Sequence, residues 1–99
     1  MAGLKVLFAE DMIMNQMLIK LHLENLKARC YCNNNGKELY MAYKKAPNDY
    51  HVIITDIHMP EMDGTEAITK IREFEEEEGL EAVPVIFLTG NEDETEKRK

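Results

Sequence analysis

The segment Val52-Ile53-Ile54-Thr55 is β-branched at every position. Such a run is stiff at χ1 and favours an extended backbone. It lacks the in–out alternation of a half-solvated strand, so it reads as a strand covered on both faces, as in parallel sheets flanked by helices. The rest of the chain repeats this rhythm of short apolar runs separated by longer amphipathic ones. Residues 4–9 form a short apolar run closed by acids, and residues 12–28 contain neither Gly nor Pro and predict a helix. A second short strand over 29–32 ends in Asn33-Asn34-Asn35-Gly36, a strong turn signal. A short helix follows over 36–45, stopped by Pro47-Asn48-Asp49. After the β-branched strand at 52–55, residues 64–78 carry Ala67, Ile68, Ile71 and Phe74 at helical spacing and stop at Gly79. Another buried strand is expected over 83–88, and residues 91–99 read as the start of a helix capped by Asn91.

The order is βαβαβαβ plus a helix start, which implies one parallel sheet with helices on its faces. Ninety-nine residues fit one domain. In such sheets ligands bind outside the carboxyl ends of the strands. There the sequence places Glu10 and Asp11 after the first strand, Asp56 after the third and Thr89 after the fourth. Carboxylates gathered this closely repel one another unless a cation sits among them. An all-oxygen site with few carboxylates suits Mg2+.

Composition narrows the alternatives. Twelve Lys and Arg against nineteen Asp and Glu leave a net charge of −7, which argues against a nucleic-acid or anionic-membrane partner. The early apolar stretch Val6-Leu7-Phe8-Ala9 runs straight into Glu10-Asp11, unlike a signal peptide. Cys30 and Cys32 are two residues apart, at the outer edge of disulfide reach on a strand, and read as reduced thiols of a cytoplasmic protein. His22, His51 and His58 fall on separate elements and are not expected to converge on a metal. Glu75 to Glu78 reads as a solvated, fraying helix end, because acids there oppose the macrodipole.

With these residues in view, the chain resembles the receiver domains of two-component response regulators. The carrying strings are VLFAED, IITDIHMPEMDG from Ile53 to Gly64, and PVIFLTG from Pro84 to Gly90. The stretch from Glu10 to Gln16 resembles the version found in hybrid histidine kinases. The resemblance spans the whole chain and implies a flavodoxin-like doubly wound sheet of strand order 2-1-3-4. It implies that Asp56 is the phosphoacceptor for a phosphohistidine donor. Asp11 would bind Mg2+ directly and Glu10 through water, with Asp56 and the backbone carbonyl of His58 completing the protein ligands. Thr89 would give its hydroxyl to the phosphoryl oxygens, and Gly90 would let a backbone N–H approach them. Pro60 and Gly64 would shape the loop after Asp56. The implied partner is a histidine kinase or histidine phosphotransfer protein, and the implied activity is self-catalysed phosphotransfer at most, without enzymatic turnover. The family's fifth strand with its Lys, and its last helix, are expected to be missing, so residues 1–99 read as one receiver-like domain incomplete at its C-terminus.

Two alternatives belong to other classes. A haloacid-dehalogenase phosphatase needs a second Asp two residues after the nucleophile, where this chain has His58. A receiver acting as a dimerisation or docking module, without switching, rests on helix 12–28. At about 100° per residue it carries two apolar stripes, Met14, Met17, Leu18 and Leu21 against Met12, Ile19, Leu23 and Leu26. The resemblance favours Leu18, His22 and Leu26 facing inward, with Met14, Met17 and Leu21 outward. The outward stripe and the apolar fourth strand then predict a homodimer or domain-swapped assembly.

Overall fold

The computed structural model describes residues 3–88. Within them the order is β1 (Lys5–Ala9), α1 (Ile13–Asn25), β2 (Arg29–Asn33), α2 (Gly36–Lys45), β3 (Val52–Asp56), α3 (Gly64–Glu78) and β4 (Val85–Leu88). The four strands pair in parallel in the order β2-β1-β3-β4, the flavodoxin-like arrangement expected. The expected helix start at 91–99, with its Asn91 cap, lies outside the described residues.

β1 is central and alternates between two cores. Leu7 and Ala9 face one side with Ile53, where Leu39 and Tyr43 of α2 and Ala67, Ile68 and Ile71 of α3 close over them. Val6 and Phe8 face the other side, against Leu23 of α1 and Ala28. Each large side chain so buried contributes about 1.5–3 kcal/mol. The cover is uneven. On the α2–α3 side Ile53 and Thr55 are fully buried, whereas Val52 and Ile54 on the α1 side are half-buried. The two-sided burial expected of β3 is therefore met on one side only, because α1 packs over β2 and stands away from β3.

α1 ends at Asn25, three residues before the expected limit. Lys27 takes φ 66°, and the chain folds back through Lys27 N–H to the Glu24 carbonyl and Ala28 N–H to the Leu23 carbonyl. This is a Schellman closure with Lys where Gly is usual. It packs Ala28 beside Leu23 and so turns the Ile19–Leu23 stripe to the sheet. The expectation that Leu18, His22 and Leu26 face inward is thereby corrected: all three are exposed, Leu18 at 54% and Leu26 at 52%. Met14, Met17 and Leu21 do point outward.

β4 also departs from its expected character. It spans only Val85–Leu88 and exposes Ile86 and Phe87, because it is the outermost strand of the described sheet. Pro84 stands before the strand, where its carbonyl accepts from Ile53 N–H at 2.9 Å. α3 runs the full expected length and closes on left-handed Gly79, but its acidic end is not simply solvated. Glu75 is 3% exposed and accepts from Tyr43 Oη and Val83 N–H, both at 2.8 Å, and from Arg72 Nη1 at 2.9 Å. It bolts α2, α3 and the approach to β4 together.

Candidate functional site

In a parallel sheet the strands deliver their last residues to one rim. β1 ends at Ala9 and β3 at Asp56, with Ala9 paired to Thr55, so the residues that follow Ala9 come out beside Asp56. One carboxylate oxygen each of Glu10, Asp11 and Asp56 lies within 4.8 Å of the others. The three acids singled out in the sequence therefore converge. Glu10 is buried, Asp56 half-buried and Asp11 exposed, which gives the cluster a closed floor and an open mouth. Oxygen donors of this kind, with one side open to water, fit a hard divalent cation such as Mg2+.

Glu10 explains why the cluster favours positive charge. Its Oε2 accepts from Met12 N–H at 3.1 Å and from Asn15 Nδ2 at 3.4 Å, both from the start of α1. Burial pushes its carboxyl above the ordinary range, the Met12 N–H draws it partly back, and the charges of Asp56 and Asp11 push it up further. An ionised Glu10 is thus under-compensated by its own hydrogen bonds, the electrostatic setting in which a cation would be favoured. On Asp56, Oδ1 accepts from Ile57 N–H at 2.8 Å.

The loop after Asp56 is shaped by backbone contact. Gly64 sits so close to the Asp56 carbonyl that a Cβ there would overlap it, and Gly64 N–H donates to the Ile57 carbonyl at 2.7 Å. Gly36, opening α2, is wedged against the Met62 carbonyl in the same way and donates its N–H to it at 2.8 Å. At this loop's end Asp63 caps α3 by accepting from Glu66 N–H at 2.9 Å; that bond and the Thr65 hydroxyl hold its carboxyl below the ordinary range, with nearby His58 adding to the effect. Pro60 is exposed in this loop, and its carbonyl accepts from Met62 N–H. His58 is exposed in the loop, and its side chain is not part of the oxygen cluster. His51 lies elsewhere, its Nδ1 accepting from Lys5 N–H, so the histidines do not converge. Thr89 and Gly90 lie outside the described residues.

Two contributors escaped the sequence reading. Gln16 lies at the start of α1 and bonds to both the Glu10 carbonyl and Asn34; no local pattern marks an amide for that role. Glu75, expected at the surface, stands seven residues after Ile68 and four after Ile71, on the buried stripe of α3. Periodicity carried that signal.

Comparison with known proteins agrees with the geometry. The family profile described as response regulator receiver domain matches residues 6–99. The peroxide stress-activated histidine kinase mak1 of Schizosaccharomyces pombe is 35% identical over 91 residues, 91% of this chain and 6% of that protein. Probable histidine kinase 1 of Oryza sativa subsp. indica is 44% identical over 71 residues, 72% of this chain and 7% of its own length. The chain thus spans a small part of the curated relatives it matches first. Among solved structures, the receiver domain of the sensor histidine kinase PA1611 from Pseudomonas aeruginosa, with a magnesium ion coordinated in its active-site cleft, superposes with a TM-score of 0.78 at 28% identity, covering 99% of this chain and 76% of that one. The receiver domain of Ssk1 from Saccharomyces cerevisiae, in complex with the histidine phosphotransfer protein Ypd1, gives 0.75 at 29% identity, covering 89% and 63%. No helix among the described residues is long and apolar enough to cross a membrane.

Proposed function

The chain belongs to the response regulator receiver domain family, and from that premise we propose that it accepts a phosphoryl group from phosphohistidine onto Asp56, with Mg2+ at the acidic rim. The observation that carries this reading is the meeting of Glu10, Asp11 and Asp56 within 4.8 Å at the carboxyl ends of β1 and β3. In the transfer a carboxylate oxygen of Asp56 attacks phosphorus. The P–N bond to the donor imidazole breaks with its electron pair on nitrogen, and an acyl phosphate forms. Phosphoryl transfer of this kind asks the protein for positioning and charge neutralisation more than for covalent chemistry. Mg2+ held by Asp11, Asp56 and the His58 carbonyl, with Glu10 through water, would offset the charge on the phosphoryl oxygens. Gly64 keeps the loop tight beneath Asp56, and burial of Glu10 keeps water off one side. By the family resemblance Thr89 would give its hydroxyl to the phosphoryl group, and Gly90 would let a backbone N–H approach it.

The partner of this reaction is a histidine kinase or histidine phosphotransfer protein. The histidine-kinase relatives and the structural likeness to a receiver bound to a phosphotransfer protein support it. A cytoplasmic setting accords with the free thiols of Cys30 and Cys32. The whole chain acts as one receiver-like unit, a phosphoacceptor without turnover of its own. The test is incubation with Mg2+ and a small acyl-phosphate donor, followed by intact mass. The expected result is a single, hydroxylamine-labile phosphoryl group that is absent from Asp56→Asn. A wild-type chain that folds, yet neither takes up phosphate nor responds to Mg2+ with beryllofluoride, overturns the reading.

Self-association is a second reading, favoured by the exposed Met14, Met17 and Leu21 of α1 and by Ile86 and Phe87 of β4. Apolar surface of this kind, Met-rich and adaptable, suits a protein partner. Sedimentation should then show a homodimer or domain-swapped dimer, and a monomer throughout the micromolar range rejects it.

A further inference from the structure

Gln16 makes two hydrogen bonds that link separate loops. Its Nε2 donates to the Glu10 carbonyl at 2.5 Å and to Asn34 Oδ1 at 2.8 Å. Both N–H groups of one amide are used, one on the loop carrying the acids and one on the loop between β2 and α2. That second loop is itself anchored: Asn34 N–H donates to Glu38 Oε1 at 2.9 Å, and Gly36 N–H donates to the Met62 carbonyl at 2.8 Å. Met62 belongs to the loop that follows Asp56. A route of hydrogen bonds and short backbone links therefore runs from the Glu10 carbonyl through Gln16, Asn34 and Gly36 to the loop beyond Asp56 without touching a carboxylate of the rim.

The rim needs such a tie. One oxygen from each of its three carboxylates lies within 4.8 Å of the others, and like charge at that range pushes apart the loops that carry them. A Lys or Arg at Gln16 would close the gap but would also compete with an incoming cation. A Glu would add a fourth repelling charge. A neutral amide with two donors ties the loops and leaves the field of the site unchanged.

Resting on the phosphoacceptor reading above, we infer that Gln16 is a positioning residue for cation capture: it holds the Glu10–Asp11 loop at its working distance from Asp56. The cation then meets ligands already assembled, and the ordering is done before it arrives.

The test uses the full chain and Mg2+ alone, titrated by calorimetry, beside urea unfolding without metal. Gln16→Met keeps length and removes both donors. Its Mg2+ dissociation constant should rise about fivefold, the size of one net hydrogen bond, while the protein remains fully folded in the titration. Asn34→Ala cuts one arm and should weaken Mg2+ by about two- to threefold. The double variant should be no weaker than Gln16→Met alone, because both act on one tie. A purely structural role would lower the urea midpoint and leave the affinity of the folded protein alone. Variants that bind Mg2+ as tightly as wild type, or whose losses add independently, overturn the inference and leave the phosphoacceptor reading standing. A folded wild type without Mg2+ affinity overturns both. Should Gln16→Met not fold, Asn34→Ala decides alone.

Discussion

Glu10 and Glu75 are each 3% exposed, and the fold treats their charges in opposite ways. Glu75 lies where α3 runs toward the start of β4. Its two oxygens take three donors, the Tyr43 hydroxyl, the Val83 N–H and the Arg72 guanidinium. Glu10 stands at the carboxyl rim. A single oxygen takes both of its donors, the Met12 N–H and the Asn15 amide, and Asp11 and Asp56 crowd it with like charge. Burying a charge is costly unless partners replace water. At Glu75 the replacement is complete and the result is a bolt. At Glu10 it is partial, and the like charges of Asp11 and Asp56 add to the shortfall. The same residue type at the same depth serves architecture in one place and chemistry in the other.

Truncation should separate them most sharply. Glu75→Ala strands the Tyr43 hydroxyl and the Val83 N–H and should cost about 3 kcal/mol in urea unfolding, with Mg2+ affinity untouched. A loss under about 1 kcal/mol would erase the distinction, since that is the worth of an ordinary exposed pair. Next in size is the metal itself. Mg2+ at about 100 times its dissociation constant should stabilise the folded chain by about 2.7 kcal/mol. Asp11→Asn should lose that gain and Glu75→Gln should keep it, both read from thermal melts with and without metal.

The conservative amide swap should then change sign between the two sites. Without metal, Glu75→Gln should destabilise by about 1–2 kcal/mol, whereas Glu10→Gln should be neutral or stabilising by up to about 1 kcal/mol because it removes repulsion. Like signs in urea would dissolve the contrast. The smallest effect is on pH. The folded-state pKa of Glu10 is raised, so the stability it lends the metal-free protein is full below the ordinary carboxylate range and is lost as pH rises through the raised value. Mg2+ needs the ionised form, so its affinity should fall as pH drops through the same value. Glu10→Gln should flatten both curves, measured as urea midpoints and Mg2+ titrations across mildly acidic pH.

The sheet and the rim were legible for related reasons. Short apolar runs separated by amphipathic ones admit few arrangements, and once strands are parallel, acids that follow them must meet. α2 and α3 kept their expected bounds because Asn35 and Asp63 cap them and Gly79 ends the second, all with side-chain chemistry that sequence displays. The end of α1 was hidden because Lys27 enters the left-handed region without Gly or Asn to signal it. Which stripe of α1 faces inward depended on that closure, so the Leu18–Leu26 assignment failed with it. Gln16 was invisible because its two partners come from separate loops, brought together only by the β1–β2 pairing. The burial of Glu75 is masked in the sequence because its charge points to solvent while its place in the periodic pattern points to the core.

β1 is hydrogen-bonded on both flanks, to β2 and to β3, and its residues from Val6 to Ala9 are essentially without solvent exposure. Amides in such a strand exchange with solvent only when the whole domain opens, while edge strands fray and exchange locally. Glu10 continues this strand directly, and its own N–H is bonded to the Asn33 carbonyl at 3.0 Å. The acidic pair therefore leaves the sheet from a strand that is paired on both sides and buried. The sheet thus fixes the Glu10 amide, while the hold on its carbonyl and on the segment that follows falls to Gln16.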